Sequence, residues 1–259
     1  MKVTLLNMTD PGIADIAAKC CISRDMPTDC TEGYKSLKRA VSSGHLSILE
    51  HINMTFAVEG VSRVVLAQFS RHRLMSLAVQ SQRYVDLKDF QYCVPGSIDS
   101  DPRIRDAYER SMGWASDLYE IMTDLYDINE EDARYILPNA CLTNFIVTMS
   151  LRELGHVCAL RRCSRAQRET RRMVDEMAEL AIAELKNYNI EWLDERPVCE
   201  SGGCEVVSYA EKLFGPQCHQ LGYCPEKWGS CERFPDLYGL GEEYWIGHKR
   251  TDKNKEEEE

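Results

Sequence analysis

Twenty-three consecutive residues, Val61–Arg83, contain four arginines and no aspartate, glutamate or lysine. Arg63, Arg71, Arg73 and Arg83 sit among apolar residues and hydrogen-bonding ones such as Gln68, Ser76, Gln80, Ser81 and Gln82. A guanidinium taken out of water without an anion is heavily penalised. A chain that folds this segment against a core must therefore keep a cationic cleft open or bring an anion to it. A second window, Arg152–Arg172, holds seven arginines against only Glu153 and Glu169. Guanidinium grips phosphate and carboxylate bidentately, so the two windows point to sites for small anions. The plainer alternative is a basic helix cap with surface polar residues. The missing acids and the apolar flanks count against it.

The rest of the chain is acidic. Its 259 residues carry 31 Lys+Arg against 42 Asp+Glu, a net charge of −11. That balance argues against wrapping duplex nucleic acid, whose phosphates demand net positive charge. It fits an acidic exterior around cationic pockets for small phosphorylated ligands. No run approaches the ~20 apolar residues of a membrane span, and the first residues, MKVTLLNMTDPG, lack the apolar core of a signal peptide. Twelve cysteines without such a signal suit a reducing, cytoplasmic compartment. Seven of them, from Cys20 to Cys163, read as buried small hydrophobes.

Periodicity predicts a mixed fold. Lys2–Leu6 reads as an opening strand, and Ile13–Cys21 and Ser36–Ser43 as helices. Residues 52–59 alternate, with Ile52, Met54, Phe56 and Val58 on one face, which is a strand with one side buried. Ser62–Ser70 reads as helical. Pro102–Leu125 has helical spacing, with Ile104, Tyr108, Met112, Ala115, Leu118 and Met122 as its apolar positions. Glu130–Leu137 reads as a short helix, and Asn144–Leu160 as apolar, then basic. Ala166–Asn187 reads as a long helix with Met173, Met177, Ala181 and Leu185 facing the core, and Arg172 paired with Glu176. On a helix that long, Arg162, Arg168, Arg171 and Arg172 are expected to be solvated or salt-bridged.

The arginines also fall in a pattern. Arg71-His72-Arg73, seven residues, Ser81, one residue and Arg83 resembles the signature of the flavin-dependent thymidylate synthases. Gly44-His45-Leu46-Ser47-Ile48-Leu49-Glu50-His51 is similar to that family's GHxSxxEH element, and Ala133–Pro138 to its ARxxLP element. Arg152 to Arg161, followed by Ala166-Gln167 and Glu169, resembles its C-terminal active-site region. The likeness runs from about Met1 to Asn187. It departs at Ala78-Val79, where Asn-Glu is common, at Ser150, where Asn is common, and at Arg165, where His is common.

The resemblance implies an α+β fold, an antiparallel sheet flanked by helices, and a homotetramer with sites between subunits. It implies that dUMP is methylated to dTMP, with carbon from methylenetetrahydrofolate, hydride carried by FAD, and NADPH as reductant. On this likeness Arg71, His72, Arg73, Ser47, Glu50, Ser150, Arg152 and His156 meet FAD. Gln68, Gln80, Ser81, Gln82 and Arg83 form a dUMP loop, joined by Arg71 and Arg134. His45 lies near folate and flavin. Arg161 faces the uracil as the catalytic residue, favouring loss of its N3 proton.

After Asn187 the texture changes, and 1–194 reads as the catalytic domain with 195–259 as an irregular, Cys-rich extension with an acidic tail. Five cysteines, Cys199, Cys204, Cys218, Cys224 and Cys231, with His219, could hold a tetrahedral zinc or simply be reduced buried thiols. A non-catalytic nucleotide- or nucleic-acid-binding protein with a zinc module is the alternative from another class. The arginine windows contain only Phe69 as an aromatic, a poor stacking platform.

Overall fold

A computed structural model describes residues 1–195 and 208–221. The chain runs β1 (Lys2–Met8), α1 (Gly12–Cys20), α2 (Lys35–Ser42), a 3₁₀ turn Leu46–His51, β2 (Asn53–Ser62), α3 (Arg63–Phe69) and β3 (Met75–Val79). It continues through α4 (Gly96–Asp99), α5 (Pro102–Glu120), α6 (Glu130–Ala133), β4 (Leu142–Ser150), α7 (Leu151–Arg161) and α8 (Arg168–Asn187). Two further helices, α9 (Tyr209–Phe214) and α10 (Gln217–Leu221), follow. The four strands form one antiparallel sheet in the order β1-β2-β4-β3.

The sheet is one-sided because its strands alternate. Met54, Phe56 and Val58 of β2 and Phe145, Val147 and Met149 of β4 point inward and are buried. Helix α8 covers them with Met173, Met177, Ala181 and Leu185, the positions its spacing predicts. The outer face carries mostly small or polar side chains, among them Thr55 and Thr148, whose hydroxyls share a hydrogen bond of 2.9 Å, with Ser76 and Ala78 exposed beside them and Ile146 as an exposed apolar exception.

Asp15 fixes the α1–α2 corner. Its fully buried carboxylate accepts from the Thr31 hydroxyl and backbone N–H and from Leu37 N. A smaller cluster of Phe90, Met112, Ala115 and Cys141 lies under α5. Of that helix's predicted apolar face only Met112 and Ala115 are buried. Ile104 is 52% exposed, and Tyr119 turns inward instead. Met112, Ala115 and Tyr119 stand at i, i+3 and i+7, one α-helical face, and the turn that follows, Ile121–Leu125, widens into a π-helix. Glu130–Leu137 divides into α6 and a 3₁₀ turn, Arg134–Ile136.

Two elements were not apparent from periodicity. Met75–Val79 forms an edge strand inside the arginine motif, and the apolar run from Leu142 is a strand that becomes a helix at Ser150. Residues 208–221 carry two short helices that no sustained period announces. Helix α9 is closed by a capping box between Ser208 and Glu211. Its Tyr209, Ala210, Leu213 and Phe214 join the main core.

Helix α9 is also seated on α7. A side chain at Gly155 would meet the Leu213 carbonyl at 2.8 Å. Beside it, Arg162 donates to the Phe214 carbonyl (2.6 Å) and to Asp175 (2.7 Å). The Arg172–Glu176 pair forms at 3.3 Å.

The cysteine expectation is corrected. Cys141 and Cys158 are buried, but Cys20, Cys21 and Cys30 are exposed, and Cys93 and Cys163 lie between. The exposed three occupy the end of α1 and the loop after it, outside the core. Cys199, Cys204, Cys224 and Cys231 lie outside the described residues. No group of three metal-ligating side chains occurs among the described residues.

Candidate active site

The β4–α7 junction builds a cleft of about 1040 Å³. Ser150 ends the strand and caps the helix, its hydroxyl accepting from Glu153 N at 3.2 Å. From there α7 sends Arg152, Glu153, His156, Leu160 and Arg161 to one wall. The turn between α3 and β3 supplies Arg71, His72, Arg73 and Leu74, and the 3₁₀ turn supplies Glu50. Glu50 and Arg152 form an ion pair across the mouth. Arg71, Arg73 and Arg161 have no carboxylate within ion-pair distance among the described residues. Their positive charge faces the cleft.

His72 is the buried centre of this arrangement. Arg161 Nε donates to His72 Nε2 at 3.0 Å, and Arg161 Nη2 donates to the Gln68 carbonyl at 3.2 Å. A guanidinium Nε always carries hydrogen, so His72 Nε2 must offer its lone pair and the imidazole must be neutral. Burial, then the charges of Arg161 and His156, depress the His72 pKa to about 4. Burial and the nearby Arg71 also pull the Arg161 guanidinium below its ordinary value. With two of its N–H groups engaged, Arg161 keeps the others for the cleft.

The remaining sequence-predicted residues lie elsewhere. His45 and Ser47 are exposed and outside the cleft wall, although Ser47 shares a face of the 3₁₀ turn with Glu50, three residues on. Gln68 lies beneath the cleft, its amide bonded to Thr170 (3.1 Å) and Gln167. The loop 80–83 occupies the far end of β3. There Gln80 N donates to the Asn144 carbonyl (2.9 Å), Ser81 Oγ accepts from Arg83 N (3.1 Å), and Gln82 reaches Cys141. Arg83 pairs with Glu131 at 2.8 Å, and Arg134 donates to the Glu131 carbonyl at 2.9 Å. Arg63 holds the Gln80 carbonyl at 3.1 Å. Burial, with some repulsion from Arg134, lowers its pKa. One chain thus carries two cationic groups, separated by the length of a strand.

Leu74, Glu153 and Leu160 line the cleft without having been singled out from the sequence. Glu153, His156 and Leu160 follow i, i+3, i+7 along α7, so a helical reading begun at Ser150 would have placed them on one face.

A sequence model of the family described as thymidylate synthase complementing protein matches residues 4–185. The flavin-dependent thymidylate synthase of Pyrococcus furiosus is 36% identical over 243 residues, covering 88% of this chain and 90% of its own. That of Clostridium tetani is 35% identical, covering 92% and 95%. Among solved structures, the Helicobacter pylori enzyme complexed with FAD and dUMP shares the fold with a TM-score of 0.58, at 24% identity over 73% of this chain and 97% of that one. A UMP/dUMP methylase of Streptomyces cacaoi bound to 5-bromo-dUMP gives 0.60, at 24% identity over 71% and 90%. With the family model spanning most of the chain and the relatives nearly all of it, the chain belongs to the flavin-dependent thymidylate synthase family.

Proposed function

We propose that this chain converts dUMP to dTMP with FAD as hydride carrier, methylenetetrahydrofolate as carbon donor and NADPH as reductant of the flavin. The observation that carries this reading is the cleft at the β4–α7 junction, where Arg71, Arg73 and Arg161 surround a neutral, buried imidazole and none of the three has a carboxylate within ion-pair distance among the described residues. Its volume and donor set fit a flavin dinucleotide, whose diphosphate suits Arg71, Arg73 and Arg152. When bound, FAD supplies the hydride chemistry.

The side chains do the rest by binding and electrostatics. His72 and the Gln68 carbonyl fix the Arg161 plane, so its free N–H groups can meet a uracil edge without reorganisation. A fixed cation there favours loss of the N3 proton and makes C5 more electron-rich. Ser81, Arg83 and Arg134 would take the nucleotide phosphate, with Gln80 and Gln82 shaping the loop. His45 and Ser47 would border the folate and flavin. The two cationic groups lie at opposite ends of β3, which supports a homotetramer in which one copy's loop completes another's cleft. Residues 1–194 form the catalytic unit in this reading. No helix among the described residues is long and apolar enough to cross a membrane, and we place the chain in the cytoplasm.

The test is direct. Purified protein should be yellow, dUMP should accelerate NADPH oxidation, and 5-tritiated dUMP should release tritium. Arg161→Ala should lower turnover by about 10²–10³-fold while FAD stays bound. Protein that takes up no FAD and releases no tritium would refute the reading. Light scattering should give four times the 29.7 kDa chain mass, and a monomer would refute the shared sites.

A further inference from the structure

Glu153 is a buried acid in a wall of cations, and nothing above gives it work. It is 5% exposed, three residues into α7, and belongs to the cleft lining. Burial raises its pKa, with His156 opposing the rise. A carboxylate so placed is costly unless its charge is used. Its Oε1 lies 3.9 Å from His72 Nδ1, and both side chains are almost wholly enclosed. That distance is too long for a hydrogen bond and well inside the range of a charge acting on an N–H dipole.

The proton inventory of His72 makes the contact meaningful. Its Nε2 must accept from Arg161, so the single imidazole hydrogen sits on Nδ1 and points towards Glu153. The other tautomer would set an Nε2–H against the Arg161 Nε–H. Every other ionisable group around the ring is a basic residue or already paired. Arg71 and Arg73 flank it in sequence, Arg161 and His156 face it from α7, and Glu50 is engaged with Arg152. The Arg161 hydrogen bond on Nε2 and the Glu153 charge beside Nδ1 therefore favour the same tautomer, and among the described residues Glu153 is the anion that acts on the Nδ1 side.

We propose that Glu153 is a positioning residue: its buried carboxylate holds His72 in the Nδ1–H tautomer, and His72 in turn fixes the plane of Arg161. Glu153 touches no reacting atom in this scheme. Only the kinetic consequence rests on the reading of the cleft as a dUMP site.

Two measurements test it. In the full chain labelled with ¹⁵N-histidine, the His72 ring should show a protonated Nδ1 and an unprotonated Nε2 at pH 7. A proton on Nε2, or an imidazolium, would overturn the proposal without any assay of turnover. Glu153→Gln keeps the volume and removes the charge. The variant should shift the His72 nitrogen signals towards a mixture of tautomers and leave the unfolding temperature no lower. It should lower kcat by about tenfold with the dUMP KM within twofold. The loss should stay well short of the ~10⁴-fold seen when the orienting carboxylate of a serine-protease triad is neutralised, because His72 here carries no proton to substrate. Unchanged histidine signals, with kcat within twofold of wild type, would refute it. Supporting spectra from a protein that releases no tritium would sink the proposed reaction and leave the role of Glu153 standing.

Discussion

Two helical glycines allow a paired substitution in which most unknowns cancel. Gly155 lies inside α7 and Gly113 inside α5, and each lowers its helix's stability by about 1 kcal/mol relative to alanine. A side chain at Gly113 would enter open space, with nothing within 4 Å. One at Gly155 would stand 2.8 Å from the Leu213 carbonyl, where ordinary contacts begin at 3.4 Å. The obstacle is main chain, so α9 must move as a body. Overpacking of this kind costs about 1–3 kcal/mol. The helix-propensity gain is common to both alanine variants, and their difference isolates the clash. Gly113→Ala should therefore melt higher than wild type, and Gly155→Ala should melt roughly 2–12 °C below Gly113→Ala. Urea unfolding followed by circular dichroism should give the same order, with unchanged m-values. Because Gly155 stands between Arg152 and His156 on α7, Gly155→Ala should also weaken FAD binding, whereas Gly113→Ala should leave it intact. Equal stabilisation by the two substitutions would show that α9 is not seated on Gly155.

Other outcomes follow from buried polar groups. The His72 pKa is about 4 in the fold, below its unfolded value near 6.5, so the unfolded chain binds more protons between those values. Its contribution, at most about 3 kcal/mol, is complete above pH 6.5 and is lost as pH falls towards 4. His72→Asn should flatten the stability profile in that window, and an unchanged slope would contradict the neutral imidazole. Asp15→Ala strands the Leu37 and Thr31 N–H groups and should cost about 3 kcal/mol or more, read as a drop in urea midpoint. A shift under 1 kcal/mol would mean that the α1–α2 corner does not depend on it. The Cys158 thiol is pushed up to about 12 by burial. Brief alkylation of native protein at pH 8 should label Cys20, Cys21 and Cys30 and spare Cys141 and Cys158, as peptide mass spectrometry would show.

The legible parts of the fold are those with a sustained period and one buried side. Ile52, Met54, Phe56 and Val58 alternate in sequence and are all fully buried, and the α8 positions behave likewise. β3 escaped because five residues on a sheet edge, half-buried on one face, give too short a pattern inside a polar motif. The β4–α7 change is hidden by continuous apolar sequence, and only Ser150, a hydroxyl able to cap a helix, marks it. In α9 the Ser208-x-x-Glu211 signal was present, but it stood in Gly- and Pro-rich surroundings. The arginine motif gave the residue types without their spacing in space. Arg71 and Arg83 are twelve residues apart, yet a strand holds them apart rather than a turn bringing them together. Glu153 was least visible, because a single acid among arginines reads as charge balance until its burial is known.

β3 also acts as a ruler. Met75 to Val79 pair with Met149 to Phe145 in unbroken register, Leu77 facing inward and Ser76 and Ala78 outward. One residue inserted here would exchange the two faces and turn Leu77 towards solvent. Two would restore the faces but push Gln80 about 7 Å beyond Asn144. The seven residues between Arg73 and Ser81 are thus a length standard cut to this sheet. The spacing can tolerate changes of residue along it, such as Ala78-Val79, far more readily than any change in their number.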